Sequence, residues 1–177
     1  MKKFLLATVF MLTAYPALAQ SAAEKAGVNS ALGIAPKTQD FVSQAAQSDM
    51  LEIATSKLAQ SNGDASIKSF ADEMVKDHTR TSAELKAMVG DNKITVTLPN
   101  MLDKAHQEKL DKMKKLQGAD FVREYKSMQV SAHKDAVSLF ERYGQGGDNA
   151  ALKAWASKTL PALKHHLQMA QDLEKKS

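Results

Sequence analysis

The chain has no cysteine. That excludes disulfides, thiolate metal ligands and a lipid attached through a cysteine behind a signal peptide, so stability must come from a packed core. Alternating β-branched runs are almost missing too. The exception, Ile94-Thr95-Val96-Thr97, ends at Leu98-Pro99 and reads as an extended connector, because proline biases the residue before it away from helix. No nucleophile elbow or triad spacing appears, and Gly144-Gln145-Gly146-Gly147 lacks the lysine-bearing pattern of a phosphate-cradling loop. Long apolar runs are absent except at the N-terminus, so no membrane span is expected after that segment is removed.

At that end, Lys2 and Lys3 precede an apolar run from Phe4 to Tyr15, followed by Pro16 and Ala17-Leu18-Ala19. This order of charge, short apolar stretch and small residues is a secretory signal peptide over 1–19, and the run is too short to cross a bilayer. An exported, periplasmic protein is expected. Losing Lys2 and Lys3 lowers the formal charge from +4 to about +2. Near-neutrality gives no support for a nucleic-acid partner, and the lysines of DKAHQEKLDKMKK alternate with Asp103, Glu108 and Asp111 as on a solvated helix face. Residues 20–37 are rich in small residues without helical apolar spacing and read as a flexible leader before a single domain over 38–177.

From Thr38 the periodicity is helical nearly throughout. Phe41, Ala45, Glu52 and Ala59 share one face of a helix over about 39–61, which the Asn62-Gly63-Asp64 turn stops. Asp64 can cap the next helix, where Ile67, Phe70, Ala71, Met74, Val75, His78, Leu85 and Val89 follow a buried 3–4 spacing up to a left-handed stop at Gly90. A short amphipathic helix follows Pro99. A long helix over about 119–143 turns Phe121, Tyr125, Met128, Ala136 and Phe140 inward, with His133 at the stripe's border. Glycines 144, 146 and 147 end it, and Asp148 can cap the last helix, with Leu152, Ala156, Leu163, His166 and Ala170 inward and Pro161 predicting a kink. His165 faces away.

Two helical hairpins joined by a long connection make an all-α four-helix bundle with one crossover that carries the extra short helix. In it the second and third long helices run parallel, as do the first and fourth. His78 and His133 then fall at matching heights, and so do Glu52 and His166, the two pairs offset by roughly 7 Å at the helical rise, about one turn, which allows one site or two adjacent layers. Inward imidazoles and carboxylates need partners, since burying a polar group unpaired costs roughly 2–7 kcal/mol. Glu52, His78, His133 and His166 are therefore the candidate metal ligands. Three histidines and one carboxylate suit a single zinc or copper ion, and Met74 and Met169 beside two of them leave Cu(I) open. The other reading has each histidine bonding a neighbour and fixing helix register. Asp77, next to His78, projects away, toward an ion pair or a role orienting a metal-bound histidine.

The segments FVSQAAQSDMLEIATSKLA, IKSFADEMVKDHT, LQGADFVREYKSMQVSAH and LKAWASKTLPALKHHLQMA resemble the bacterial family catalogued as domain of unknown function 4142. The resemblance spans about 38–173 and implies an exported bundle of the ferritin-like class with no assigned reaction. Its polar inward positions correspond to Glu52, Asp77, His78, His133 and His166. A di-iron centre would need a carboxylate three residues before its histidines. Val75, Val130 and Leu163 stand there instead. Three readings follow: a non-catalytic metal-binding bundle, an envelope structural or interaction protein with structural histidines, and a ferritin-like redox enzyme.

Overall fold

The computed structural model describes residues 22–90 and 94–176; the signal segment 1–19 lies outside them. Its helices are α1 (Val28–Ala31), α2 (Thr38–Asn62), α3 (Ala65–Gly90), α4 (Lys104–Lys114), α5 (Gly118–Gly146) and α6 (Ala150–Lys175), and residues 22–25 are also helical. No strand occurs among the described residues.

The stripes read from the sequence become two apolar cores at opposite ends of the bundle. One gathers Phe41, Val42 and Ala45 of α2, Leu85 of α3, Phe140 and Tyr143 of α5, and Leu152 and Trp155 of α6. The other gathers Ala59, Ile67, Phe70, Met74, Phe121, Tyr125 and Ala170, with Met113 of α4. The start of α2 and of α6 thus lies with the end of α3 and of α5. Hence α2 and α6 run one way, α3 and α5 the other, as the crossover topology requires. The tightest packing is within the hairpins, α2 on α3 and α5 on α6, and the hairpins meet along α2 with α5 and α3 with α6. The crossover returns along the bundle and lays α4 across α2 and α5, burying Leu110 and Met113.

Turn chemistry fixes the hairpins. Asp64 Oδ1 accepts from Ser66 N at 2.9 Å, satisfying a free amide at the start of α3. A Cβ at Gly63 would lie 2.4 Å from the Ala59 carbonyl oxygen and 2.6 Å from Ile67 Cδ1, so this tight turn admits only glycine without rearrangement. The second hairpin differs from expectation in detail. The helix runs through Gly144 to Gly146, and Gly144 lets α6 approach closely, since a Cβ there would sit 2.9 Å from Ser157 Oγ. Asn149, not Asp148, caps α6 by accepting from Leu152 N at 3.0 Å; Asp148 instead bonds Thr38, at the start of α2. Gly90 has no left-handed φ, a conformation confined to Gly27, Gly33 and Gly118 among the described glycines. α6 continues through Pro161.

Residues 22–34, within the segment read from sequence as a leader, include helical turns and contact α5. Glu24 is buried and grips Arg142 of α5 through two bonds, Nη2 to Oε1 at 2.7 Å and Nη1 to Oε2 at 3.1 Å, and Arg142 also donates to the Ile34 carbonyl at 2.6 Å. Burial alone would raise the Glu24 pKa, but the Arg142 and Gln44 bonds outweigh it and the net direction is down. One buried bidentate pair orders a segment whose small residues supply little apolar surface.

Candidate metal centre

Between the two apolar cores lies a polar layer to which all four long helices contribute. α2 supplies Asp49 and Glu52, α3 supplies His78 and Thr81, α5 supplies Gln129 and His133, and α6 supplies His166; every one is buried. Helical spacing puts them there, for His78 lies one turn beyond Met74 and His166 lies three residues after Leu163 on their buried faces.

His78, His133 and His166 converge. Their ring centroids are 5.5 Å apart for His78 and His133, 5.7 Å for His78 and His166, and 5.5 Å for His133 and His166. One donor nitrogen from each lies within 4.8 Å of the others. Of the one-site and two-layer arrangements open from the sequence, the three histidines take the first, with His166 joining the other two in one layer. Glu52 lies outside this donor group. Its Oε2 accepts from Gln129 Nε2 at 2.6 Å, while Oε1 is buried without a partner.

Each imidazole is held from outside by one nitrogen and is bare on the other. His78 Nδ1 donates to Asp49 Oδ1 at 2.8 Å, His133 Nδ1 to the Gln129 carbonyl at 2.9 Å, and His166 Nε2 to Asp77 Oδ2 at 3.1 Å. These acceptors fix the tautomers, because a carboxylate or carbonyl takes a proton from the ring nitrogen facing it. The opposite nitrogens, His78 Nε2, His133 Nε2 and His166 Nδ1, are buried and have no hydrogen-bond partner. Asp49 is itself anchored by Thr81 Oγ1 at 2.8 Å and Ser82 Oγ at 3.2 Å.

Electrostatics separates the three rings. Burial pushes His133 down to about 3, with the positive charge of His78 adding to it. Burial likewise pushes His166 down to about 4, helped by His78 and opposed by Asp77. For His78 burial also acts downward, but the bond and charge of Asp49, with Glu52 and Asp77 behind them, outweigh it and the net direction is up. Burial raises Glu52, partly offset by His78 and Gln129. The layer therefore offers two neutral imidazoles and a third beside carboxylates that balance a positive charge.

The donor chemistry fits a borderline transition ion. Imidazole suits zinc and copper, and metal-bound histidines usually give their second ring nitrogen to a carboxylate or carbonyl, the pattern present here three times. Nitrogens around one zinc lie about 3.3 Å apart at Zn–N distances near 2.0 Å, so the group needs to close by at most about 1.5 Å per pair. Glu73, Asp77 and His166 form a second set of mutually close donors, nearer the surface.

Of the residues selected from sequence, the structure brings three histidines together and sets Glu52 beside them. Asp77 serves as the expected inter-helix partner. Asp49, Gln129 and Glu73 were missed. Asp49 had a signal, since it stands three residues before Glu52 on the same side of α2, and Gln129 stands four before His133.

The bundle is an all-α domain with a cluster of three imidazoles buried between its two apolar cores. The profile described as "Domain of unknown function (DUF4142)" matches residues 23–173, and the chain belongs to that family. No curated protein matches the sequence. Among solved structures the fold is similar to "CopM in the Cu(II)-bound form", with a TM-score of 0.66 and 15% identity over 81% of this chain and 99% of that one. No described helix is long and apolar enough to cross a membrane.

Proposed function

We propose that this protein is an exported, periplasmic, non-catalytic bundle that holds one copper or zinc ion on His78, His133 and His166. The observation that carries the reading is the convergence of three buried imidazoles, each with one partnerless ring nitrogen and each backed on the other by an outer hydrogen bond. Leaving a buried polar atom unsatisfied costs about 1–3 kcal/mol, and one ion would satisfy all three. Such an ion brings Lewis acidity and, if copper, one-electron redox chemistry. An ion held by the three ring nitrogens takes the place of the His78 proton and leaves every imidazole neutral, so Glu52 serves as counter-charge along with Asp49 and Asp77. The likeness to a protein solved in a Cu(II)-bound form favours copper as the first ion to test.

One observation favours a structural role for the same histidines. The His78–Asp49 bond joins α3 to α2, and the His166–Asp77 bond joins α6 to α3, so both set helix register. A single experiment separates the readings: elemental analysis and calorimetric titration of mature protein purified without an affinity tag. The metal reading expects about one equivalent of tightly held ion and a raised melting temperature, both lost in a His78→Ala, His166→Ala double variant. Binding that persists in the double variant would sink it.

A further inference from the structure

An ion needs a way into a layer closed by two apolar cores. Of the three groups that back the imidazoles, one is a backbone carbonyl within α5 and one is the Asp49 side chain, only 9% exposed. The third, the Asp77 side chain, is 21% exposed, so the layer comes nearest to water between α3 and α6. Glu73 lies one turn before Asp77 on α3 and is half-buried. Its carboxylate lies within 4.8 Å of the donors of Asp77 and His166, and it has no hydrogen-bond or ion-pair partner among the described residues. His166 belongs to both donor sets. Nε2 faces Asp77, and Nδ1 is the partnerless nitrogen of the inner set.

We infer that Glu73, Asp77 and His166 form an outer cation position through which a divalent transition ion reaches the three histidines, with the His166 ring as the wall shared by both. The inference rests on the metal-binding reading above. Two carboxylates open to water attract a hydrated cation before it sheds its shell. The outer position offers the hard oxygens of Glu73 and Asp77, with His166 Nε2–H held by Asp77, and the inner set three imidazoles, so a borderline ion gains by moving inward. Arg80 lies 3.4 Å from Asp77 Oδ1 and leaves Oδ2 to His166; its side chain is 53% exposed and free to yield as a cation arrives.

Rapid mixing of the mature full chain with Cu(II), followed by the visible absorption of the copper–imidazole chromophore, tests the route. Glu73 touches only the outer position. Glu73→Gln should therefore slow association about tenfold and dissociation by the same factor, leaving Kd and stoichiometry unchanged. Glu141→Gln, which removes an exposed carboxylate paired with Lys164 elsewhere on the bundle, should keep wild-type rates. Asp77→Asn should raise Kd as well, because Asp77 also orients His166. Wild-type rates in Glu73→Gln, or equal slowing in Glu141→Gln, overturn the route while leaving the inner site standing. A wild-type chain that takes up neither Cu(II) nor Zn(II) overturns the metal reading, and the route with it.

Discussion

Around Phe41 the four long helices bury apolar side chains, with aromatic rings from α2, α5 and α6 set against one another. The Phe41 and Tyr143 rings stack with centroids 3.9 Å apart, and Phe140 and Trp155 close over them. Two to three turns along α2, the same helices bury three imidazoles, two carboxylates and an amide. Burial in the first region is favourable for every group, because apolar area leaves water. In the second it opposes folding unless each polar atom is met, and five of these atoms, on Glu52, His78, Gln129, His133 and His166, are not. A helix bundle of this size holds together on its two apolar ends. The middle layer costs stability, and a cost retained in a core points to a use for it.

The largest expected effect lies in the aromatic core. Phe41→Ala should lower unfolding free energy by about 3–5 kcal/mol in urea titrations, while any folded fraction keeps its full metal stoichiometry. A loss under 1 kcal/mol would mean the ends do not carry the fold. Next comes Asp49→Asn, which preserves shape and takes the charge from behind His78. Metal affinity should drop about 10–100-fold by calorimetry, against a minor change in urea midpoint. Smallest is the effect of removing one layer member. His133→Leu should leave the stability of the metal-free protein unchanged or raise it by about 1 kcal/mol, the reverse in sign of Phe41→Ala.

The same variant bears on acid sensitivity. His133 and His166 have folded values near 3 and 4, below the ordinary 6.5. Between about pH 6.5 and 4 the unfolded chain therefore binds protons that the folded chain refuses, and stability falls as pH falls. His78 and Glu52 are shifted upward and act in the opposite sense, moderating the loss. His133→Leu should flatten the decline in melting temperature over that range. An unaltered slope would show that His133 is not the group refusing the proton.

Helix number, direction and inward faces were readable because a 3.6-residue period is imposed by burial along every turn. The site was readable in part. His78, His133 and His166 stood out as polar groups inside apolar stripes, but heights along the bundle depend on helix ends, and a margin of one turn left a single layer and two adjacent layers both open. Asp49 and Gln129 escaped because they sit at the flanks of their stripes, where a residue that faces a neighbouring helix looks in sequence like one that faces water. Glu24 escaped for a different reason. Local composition carries no trace of an ion pair whose other half, Arg142, lies at the far end of the chain.

The crossover gives the histidine layer a mechanical meaning. His78 arrives on one hairpin, His133 and His166 on the other, and the chain joins the hairpins only through residues 91–117. An ion at the layer is then a stitch between two halves, bridging them where no covalent bond does. A protease cut in the extended part of that connector would leave the metal-loaded halves fastened and the metal-free halves dependent on apolar packing alone. Resistance to cleavage and metal supply would become one property of the protein.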